Sequence, residues 1–225
     1  MKASFRVGVA SFSMLVLLAG FSIAGCGNKS ETANTSNSDK PIWATELAGI
    51  SREPSLDVSE LSLPNAVDGT AQVFKADPDG LLLLYFGYTS CPDVCPTTLS
   101  DFRVALEELP ADEASRVDVA MATVDPDRDT GELMSSYLDH FFEADQIHPL
   151  RTEDPEELSR VTQTLGVQFS VAEHAAGATE YDVSHSAITY VVDDQGLVRV
   201  EWPFGIDSQA MASDLHLLLS NYKEK

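Results

Sequence analysis

The most constraining feature of this sequence is a continuous apolar run, Leu81–Gly87, that is followed almost at once by two cysteines. The run has the length of a β-strand and no polar alternation, which is typical of a central strand that is buried on both faces. Cys91 and Cys95 come next, and the segment Thr97–Leu109 then carries apolar residues at helical spacing. The pattern predicts a buried strand, a cysteine-bearing turn and a helix, in that order.

The flanking segments extend this unit to a whole domain. An N-terminal β-hairpin is predicted from Leu56–Leu63 and Gln72–Lys75, which are separated by an Asp68-Gly69 turn. The later predicted elements are a strand at 117–124, helices at 130–142 and 155–165, a brief crossing at 149–150, a strand at 167–171, a hairpin at 187–202 and a helix at 207–219. A parallel βαβ unit followed by an antiparallel hairpin and a helix is the thioredoxin plan. We therefore predict an α/β, thioredoxin-like fold: a central mixed sheet flanked by helices, with an N-terminal β-hairpin.

The first 26 residues have the layout of a secretory signal. Lys2 and Arg6 precede a stretch without charge from Val7 to Asn28, and small residues lead into Cys26. This ending resembles a bacterial lipoprotein box, which implies a signal peptide at 1–25 and lipid attachment to Cys26. An uncleaved transmembrane helix is the alternative, because the uncharged stretch is nearly long enough to span a bilayer. Either arrangement places the domain on the extracytoplasmic face of the cell membrane.

Residues 26–41 are polar and predict a disordered, lipid-anchored tether, so that the folded domain occupies residues 42–225. The chain contains 14 Lys and Arg against 36 Asp and Glu, for a net charge of −22. A surface this acidic repels phosphate backbones, which argues against a nucleic-acid-binding function. It suits basic partners, cations, a salty milieu or solubility alone, and the sequence does not separate these.

Cys91 and Cys95 lie where the predicted helix begins. Two residues four apart on a helix share one face, about 6 Å apart along the axis, and the positive end of the helix favours thiolates, so both cysteines are expected to have lowered pKa values. A structural disulfide is a weak interpretation, because closing so short a loop restrains the unfolded chain little. A dithiol–disulfide exchange catalyst and a metal site both remain open on the thiol pair alone.

His185 is the histidine that stands out as a third ligand. It lies immediately before a predicted strand whose start faces the tip of the cysteine helix in a thioredoxin plan. The other histidines are expected to be ordinary surface or structural residues: His140, His148, His174 and His216. Asp125 follows the second parallel strand and could accept a hydrogen bond from the ligand histidine or hold its loop. Asp129 fits the N-cap of the next helix, and Arg128 is expected to pair with the surrounding acids.

Taken together, these residues resemble the Sco/SenC family of copper proteins. The match runs through YFGYTSCPDVCP at 85–96, VDPDRDT at 124–130 and VSHS at 183–186. The resemblance implies that Cys91, Cys95 and His185 bind one copper ion per chain, as Cu(I) or Cu(II), and that Asp125 supports the site from beyond the ligands. The family often has an aspartate before the ligand histidine, whereas this chain has Ser184. The resemblance also implies a role in building the CuA centre of cytochrome c oxidase subunit II.

The leading hypothesis is a copper metallochaperone that has no turnover and no small-molecule substrate. Its partner would be subunit II or another copper-accepting protein. Two soft thiolates and one imidazole suit copper chemistry, whereas structural zinc prefers four closed ligands. The alternative is an extracytoplasmic thiol–disulfide oxidoreductase that keeps the cysteines of a partner reduced. A peroxiredoxin-like peroxidase fits the fold but does not explain His185.

Overall fold

The structure is a computed structural model and describes residues 46–221. The predicted signal peptide (1–25), the predicted tether (26–41) and the proposed lipid site Cys26 lie outside the described residues. Within residues 46–221, no helix combines the length and the apolar character that crossing a membrane requires.

Nine strands and five helices make up the described part of the chain. In chain order they are β1 (Ser62–Pro64), β2 (Ala71–Val73), β3 (Leu81–Gly87), α1 (Val94–Glu108), α2 (Ala111–Ala114), β4 (Val117–Thr123), α3 (Gly131–Leu138), β5 (Ile147–Leu150), α4 (Pro155–Leu165), β6 (Phe169–Val171), β7 (Val183–His185), β8 (Ile188–Asp193), β9 (Val198–Pro203) and α5 (Ser208–Asn221).

A five-stranded sheet with the order β5-β4-β3-β8-β9 forms the centre of the domain. Strand β3 is parallel to β4 and antiparallel to β8, so the sheet is mixed. All seven residues of β3 are buried, as the apolar run predicts. The predicted thioredoxin-like α/β class is confirmed. The sheet carries the carboxyl end of β3, and with it the cysteines, to one edge of the core.

The predicted N-terminal hairpin is confirmed, although it is shorter than the sequence pattern suggests. Strands β1 and β2 pair antiparallel over three residues each, from Ser62 opposite Val73 to Pro64 opposite Ala71. The turn between them uses Gly69 in the left-handed region, at φ 74°. Strand β5 contains Pro149 and lies at the edge of the five-stranded sheet, where a residue that cannot donate a ladder hydrogen bond is tolerated.

A separate two-stranded sheet carries the histidine. Strand β6 pairs antiparallel with β7, and this register sets Phe169 opposite His185. The sequence predicts a strand at 167–171 but none at 183–186, where it only places His185 before the next strand. The difference arises because β7 is three residues long and finds its partner across the segment 172–182, too far along the chain for a local pattern to reveal.

Candidate metal centre

The two cysteines lie at the junction of β3 and α1. Cys91 precedes the helix and is partly exposed, whereas Cys95 lies in its first turn and is completely buried. Both are free thiols. The backbone N–H of Cys95 donates a hydrogen bond to Cys91 Sγ at 3.3 Å, so the start of the helix directs one of its unpaired N–H groups at a sulfur.

Gly87 allows this junction to be tight. A β-carbon at this position would lie 2.8 Å from the Tyr85 ring and 3.0 Å from Cys95 Sγ, closer than ordinary contacts permit. The absence of a side chain at the end of β3 therefore lets the buried sulfur pack directly against the strand.

The prediction that both thiols have lowered pKa values is wrong for Cys95. Burial raises its pKa to about 12, and a hydrogen bond with Cys91 contributes in the same direction. The favourable end of the helix is outweighed because a thiolate in the apolar interior loses its hydration. A bound cation would reverse this preference, since a metal replaces the thiol proton and pairs with the charge.

His185, the last residue of β7, brings its ring to the cysteines. Its Nε2 lies 3.4 Å from Cys95 Sγ, and its Nδ1 lies 3.2 Å from the backbone oxygen of Ser186. Because a carbonyl oxygen can only accept, the Ser186 contact requires the proton on Nδ1 and leaves the Nε2 lone pair directed at the sulfur. Burial lowers the pKa of His185 and so favours the neutral ring that a metal requires.

Two tyrosine rings fix the orientation of the imidazole. Tyr85 and Tyr88 each meet His185 edge-on, with ring centroids 6.0 Å and 5.8 Å away. The Tyr88 hydroxyl also donates a hydrogen bond to the backbone oxygen of Val183 at 3.2 Å, which attaches β7 to the segment that leads to the cysteines. Aromatic contacts of this kind limit how far the ring can turn.

Asp125 does not accept a hydrogen bond from the histidine, because the Nδ1 proton of His185 goes to Ser186. The buried carboxylate instead accepts from Arg128 Nε and from the Tyr181 hydroxyl, both at 2.5 Å. The expected pairing of Arg128 with an acid is confirmed, and of the two functions considered for Asp125 the structure shows the loop-holding one.

Arg128 and Tyr181 fasten the segment 172–182, which joins β6 to β7. The guanidinium carbon lies 3.9 Å from the Tyr181 ring centroid, and the His174 ring stacks on Tyr181 at 3.8 Å. Two groups this close to one centroid must lie on opposite faces, so Tyr181 is held between them. Arg128 also donates to the backbone oxygens of Thr179 and Tyr181. Tyr181 was not found by sequence reasoning, because no pattern links a loop tyrosine to an acid 56 residues earlier.

Asp129 was predicted as an N-cap, and this prediction is wrong. Thr130 caps α3 by accepting a hydrogen bond from the N–H of Leu133. Asp129 is fully buried and accepts from the Thr123 hydroxyl at 2.5 Å and from both the N–H and the hydroxyl of Thr89. It thus connects the end of β4 to the segment that precedes Cys91.

The remaining described histidines are engaged elsewhere. His140 contacts the Ser136 backbone oxygen, His148 approaches Asp118 and His216 pairs with Glu113. Within residues 46–221, one group of three potential metal ligands converges: Cys91, Cys95 and His185, with their ligand atoms all within 4.8 Å of one another. Two sulfurs and one neutral imidazole form a donor set for a soft metal ion. A groove of about 300 Å³ opens beside Cys91, so that the site is reachable from the surface.

Comparison with known proteins places this geometry in a family. The sequence model of the SCO1/SenC family matches residues 66–220. This chain belongs to the SCO1/SenC family. The SCO2-like protein of Rickettsia prowazekii is 32% identical over 135 residues, which cover 58% of this chain and 62% of the relative. The chain thus spans less than two thirds of the length of the first curated relatives it matches.

Solved SCO1/SenC structures agree with the fold. A solution structure of apo Sco1 from Thermus thermophilus has a TM-score of 0.60 at 28% identity, covering 79% of this chain and 96% of that one. ScoI of Bradyrhizobium japonicum, solved with copper bound, has a TM-score of 0.57 at 29% identity, covering 69% of this chain and 95% of its own. The SCO1/SenC match includes all three converging side chains and the Asp125 network.

Proposed function

We propose that this SCO1/SenC protein is a copper metallochaperone that binds one copper ion through Cys91, Cys95 and His185 and passes it to an acceptor protein. The observation that carries the proposal is the convergence of two sulfurs and one imidazole within 4.8 Å. The donor set suits Cu(I), and Cu(II) when a further weak donor is added. The copper-bound ScoI of Bradyrhizobium japonicum supports copper as the cargo.

The asymmetry of the ligands suits transfer rather than storage. Cys95 is buried and His185 is partly buried, whereas Cys91 is partly exposed and borders the groove. An incoming thiolate can therefore approach the metal from the Cys91 side without moving the core. The acceptor we propose is a dicysteine copper site such as the CuA centre of cytochrome c oxidase subunit II, whose cysteines must be reduced before copper enters.

Copper stoichiometry tests this function directly. The reduced protein is expected to bind about one Cu(II) per chain with an intense thiolate-to-copper absorption band, and His185→Ala should weaken Cu(II) binding about a hundredfold. His216→Ala is a matched control, because His216 pairs with Glu113 away from the site. Normal Cu(II) retention by His185→Ala would contradict the proposal.

A transfer assay tests the chaperone step. The copper-loaded protein is mixed with a reduced, soluble dicysteine acceptor domain, and the two are separated and assayed for copper. Copper should move to the acceptor, and an acceptor that lacks its cysteines should remain empty. Retention of all copper by the donor would leave a binding protein without a delivery role.

Thiol–disulfide exchange is the second candidate function. A partly exposed Cys91 beside a buried Cys95 is the arrangement of an attacking and a resolving thiol, and the Cys95 N–H directed at Cys91 Sγ supports a thiolate there. This function predicts turnover with model disulfides that is insensitive to His185→Ala. Inactivity of the reduced protein toward such disulfides would exclude it.

We also propose that the protein is anchored in the cell membrane by a lipid on Cys26, with its domain on the extracytoplasmic face. The small residues before Cys26 and the polar tether support this proposal. Cells given a labelled fatty acid should incorporate label into the full-length protein, and Cys26→Ser should abolish both labelling and processing. An unprocessed, unlabelled membrane protein would instead indicate a transmembrane anchor.

A further inference from the structure

The outer edge of β7 is an open sheet edge beside the metal centre. Strand β7 pairs with β6 on one side, and no strand of the described residues pairs with it on the other. The N–H of Ser186, just after β7, donates to the Gln168 backbone oxygen at 2.7 Å, so Ser186 and Ser184 face β6. Because backbone groups along an antiparallel pair alternate in direction, those of Val183 and His185 point away from β6.

One of these outward groups has a partner on the cysteine side of the site. The Tyr88 hydroxyl donates to the Val183 backbone oxygen at 3.2 Å, which agrees with the outward direction. The backbone N–H and backbone oxygen of His185 have no hydrogen-bond partner among residues 46–221. An open strand edge of this kind is a template on which another extended segment can pair.

The outward edge of β7 and the exposed thiol border the same groove. This groove of about 300 Å³ is lined by all three residues of β7 and by residues 91–94 at the start of α1. Phe204 also lines it, and half of that residue is exposed. A segment that pairs with His185 in this groove therefore lies beside the Cys91 sulfur, with apolar side chains around it.

Charge complementarity specifies a further feature of the segment that this groove fits. Asp93 lines the groove and is exposed, and none of the described residues that line it is Lys or Arg. The whole chain carries a net charge of −22. A basic side chain next to the cysteine of an incoming segment is therefore favoured over an acidic one.

We propose that the groove binds an extended, cysteine-containing segment of the acceptor protein as an added strand on β7, with a basic residue beside the cysteine. The inference rests on the proposed copper transfer and specifies how the acceptor is recognised. The backbone of the segment exchanges hydrogen bonds with the N–H and the oxygen of His185, while its side chains meet Cys91 and Asp93. Strand addition supplies affinity through the backbone and leaves specificity to the side chains.

A peptide affinity label tests this pairing in the metal-free, reduced protein. The probe is a short peptide in which a chloroacetamide group replaces the cysteine side chain and a lysine follows it. Cys91 Sγ displaces chloride, a thioether bond forms and the thiol proton leaves to the buffer. Free chloroacetamide reports the intrinsic reactivity of Cys91. The peptide should alkylate Cys91 about tenfold faster, with a rate that saturates as its concentration rises.

N-methylation of the peptide is the matched control for the backbone. It removes the N–H that would donate to the His185 oxygen and leaves the side chains, the charge and the chloroacetamide group in place. The N-methyl peptide should lose most of the rate advantage. An N-methyl peptide that reacts as fast as the parent would overturn the proposal, because the groove would then accept side chains alone. A parent peptide no faster than free chloroacetamide would overturn it as well.

A charge variant tests the expected basic residue. In the wild-type protein the lysine peptide should react faster than a peptide with glutamate in its place. Asp93→Asn should reduce this preference about threefold, since the charge pair is exposed. Glu108→Gln, which removes an exposed acid at the far end of α1, should leave the preference unchanged. Equal effects of the two substitutions would contradict recognition of charge at the groove.

Amide hydrogen exchange gives a readout that docking of side chains alone would not move. In the peptide adduct, exchange of the His185 N–H should slow about tenfold relative to the chloroacetamide adduct, because this group gains a partner. The Ser184 N–H already faces β6 and should change little. Equal exchange of the His185 N–H in the two adducts would contradict the pairing.

These measurements use no copper, so their failure is distinguishable from failure of the proposed function. A protein that binds no copper but prefers the parent peptide loses the chaperone function and keeps the docking mode. A protein that binds copper normally but reacts equally with the parent and N-methyl peptides keeps the metal centre and loses the docking mode.

Discussion

The two halves of the candidate metal centre are held in very different ways. The cysteines stand between a fully buried strand and a long helix, and Asp129 ties their approach segment to the end of β4. The histidine stands on a three-residue strand of a separate two-stranded sheet. Its half depends on a few aromatic and polar contacts from Tyr88, Arg128 and Tyr181.

This difference teaches that the sulfur positions are part of the core, whereas the imidazole position is set by a peripheral attachment. Changes in the core half should lower stability and copper affinity together. Changes in the contacts that attach the β6–β7 sheet should lower copper affinity. They should leave the stability of the domain nearly unchanged, because few buried apolar contacts are involved.

Loss of a buried sulfur should have the largest effect. Cys95→Ser is expected to weaken Cu(I) binding by well over a hundredfold, because a hydroxyl is a poor ligand for a soft ion. His185→Ala should weaken Cu(I) binding less, since two thiolates can still hold Cu(I). Competition with a Cu(I) chelator measures the Cu(I) affinity of both variants. A larger loss of Cu(I) affinity in His185→Ala than in Cys95→Ser would contradict this difference between the two halves of the site.

Overpacking the end of β3 with Gly87→Ala should have the next largest effect. Gly87→Ala places a methyl group 2.8 Å from the Tyr85 ring and 3.0 Å from Cys95 Sγ, so neighbours must shift. We expect the free energy of unfolding to fall by about 1–3 kcal/mol, with copper affinity reduced as well. Urea unfolding and copper competition on one preparation check this. Gly166→Ala, at the end of α4, is the control: no atoms lie near the added methyl group, but its φ of 75° strains alanine, so stability should fall while copper affinity is unchanged.

Loosening the histidine half should have a smaller effect on stability. Tyr181→Ala removes the ring between Arg128 and His174 together with one hydrogen bond to Asp125. We expect copper affinity to fall about tenfold, faster amide exchange in β6 and β7, and little change in the exchange of β3. Tyr181→Phe keeps the ring between Arg128 and His174 and should therefore lose less copper affinity. Equal acceleration of exchange in β3 and β7 would show that the halves are not separate.

The smallest effect is a pH dependence at Asp129. Burial raises its pKa above the ordinary 3.8. The folded protein therefore holds this proton more tightly than the unfolded chain, so the contribution of Asp129 to stability falls as pH rises from about 4 through the folded pKa. Asp129→Asn should lack this part of the pH dependence in urea unfolding. If the unfolding free energies of the wild-type protein and Asp129→Asn change with pH in the same way, this effect of Asp129 is contradicted.

The core half was readable from the sequence for a physical reason. An unbroken apolar run has few alternatives to a buried central strand, and cysteines placed directly after it must lie at the sheet edge where the next helix begins. Local pattern did not fix the thiol chemistry, however. Burial of Cys95 depends on Gly87 and on packing from Tyr85, and it reverses the pKa shift that the helix end alone suggests.

The histidine half was readable only in part. His185 was identified by its place before a strand, but β7 has no periodicity of its own and pairs across segment 172–182. The functions of Asp129 and Tyr181 arise from contacts between residues 40 and 56 positions apart. Such contacts are created by the tertiary fold, so spacing rules that describe a single turn or strand do not predict them.

X-ray absorption of the copper-loaded, reduced protein is the measurement that addresses the ligand set most directly. For Cu(I), two sulfur scatterers and one imidazole should surround each ion, and the imidazole signal should disappear in His185→Ala while both sulfurs remain. A spectrum that contains sulfur alone in the wild-type protein, or one that His185→Ala leaves unchanged, would contradict convergence of the two halves on a single copper ion.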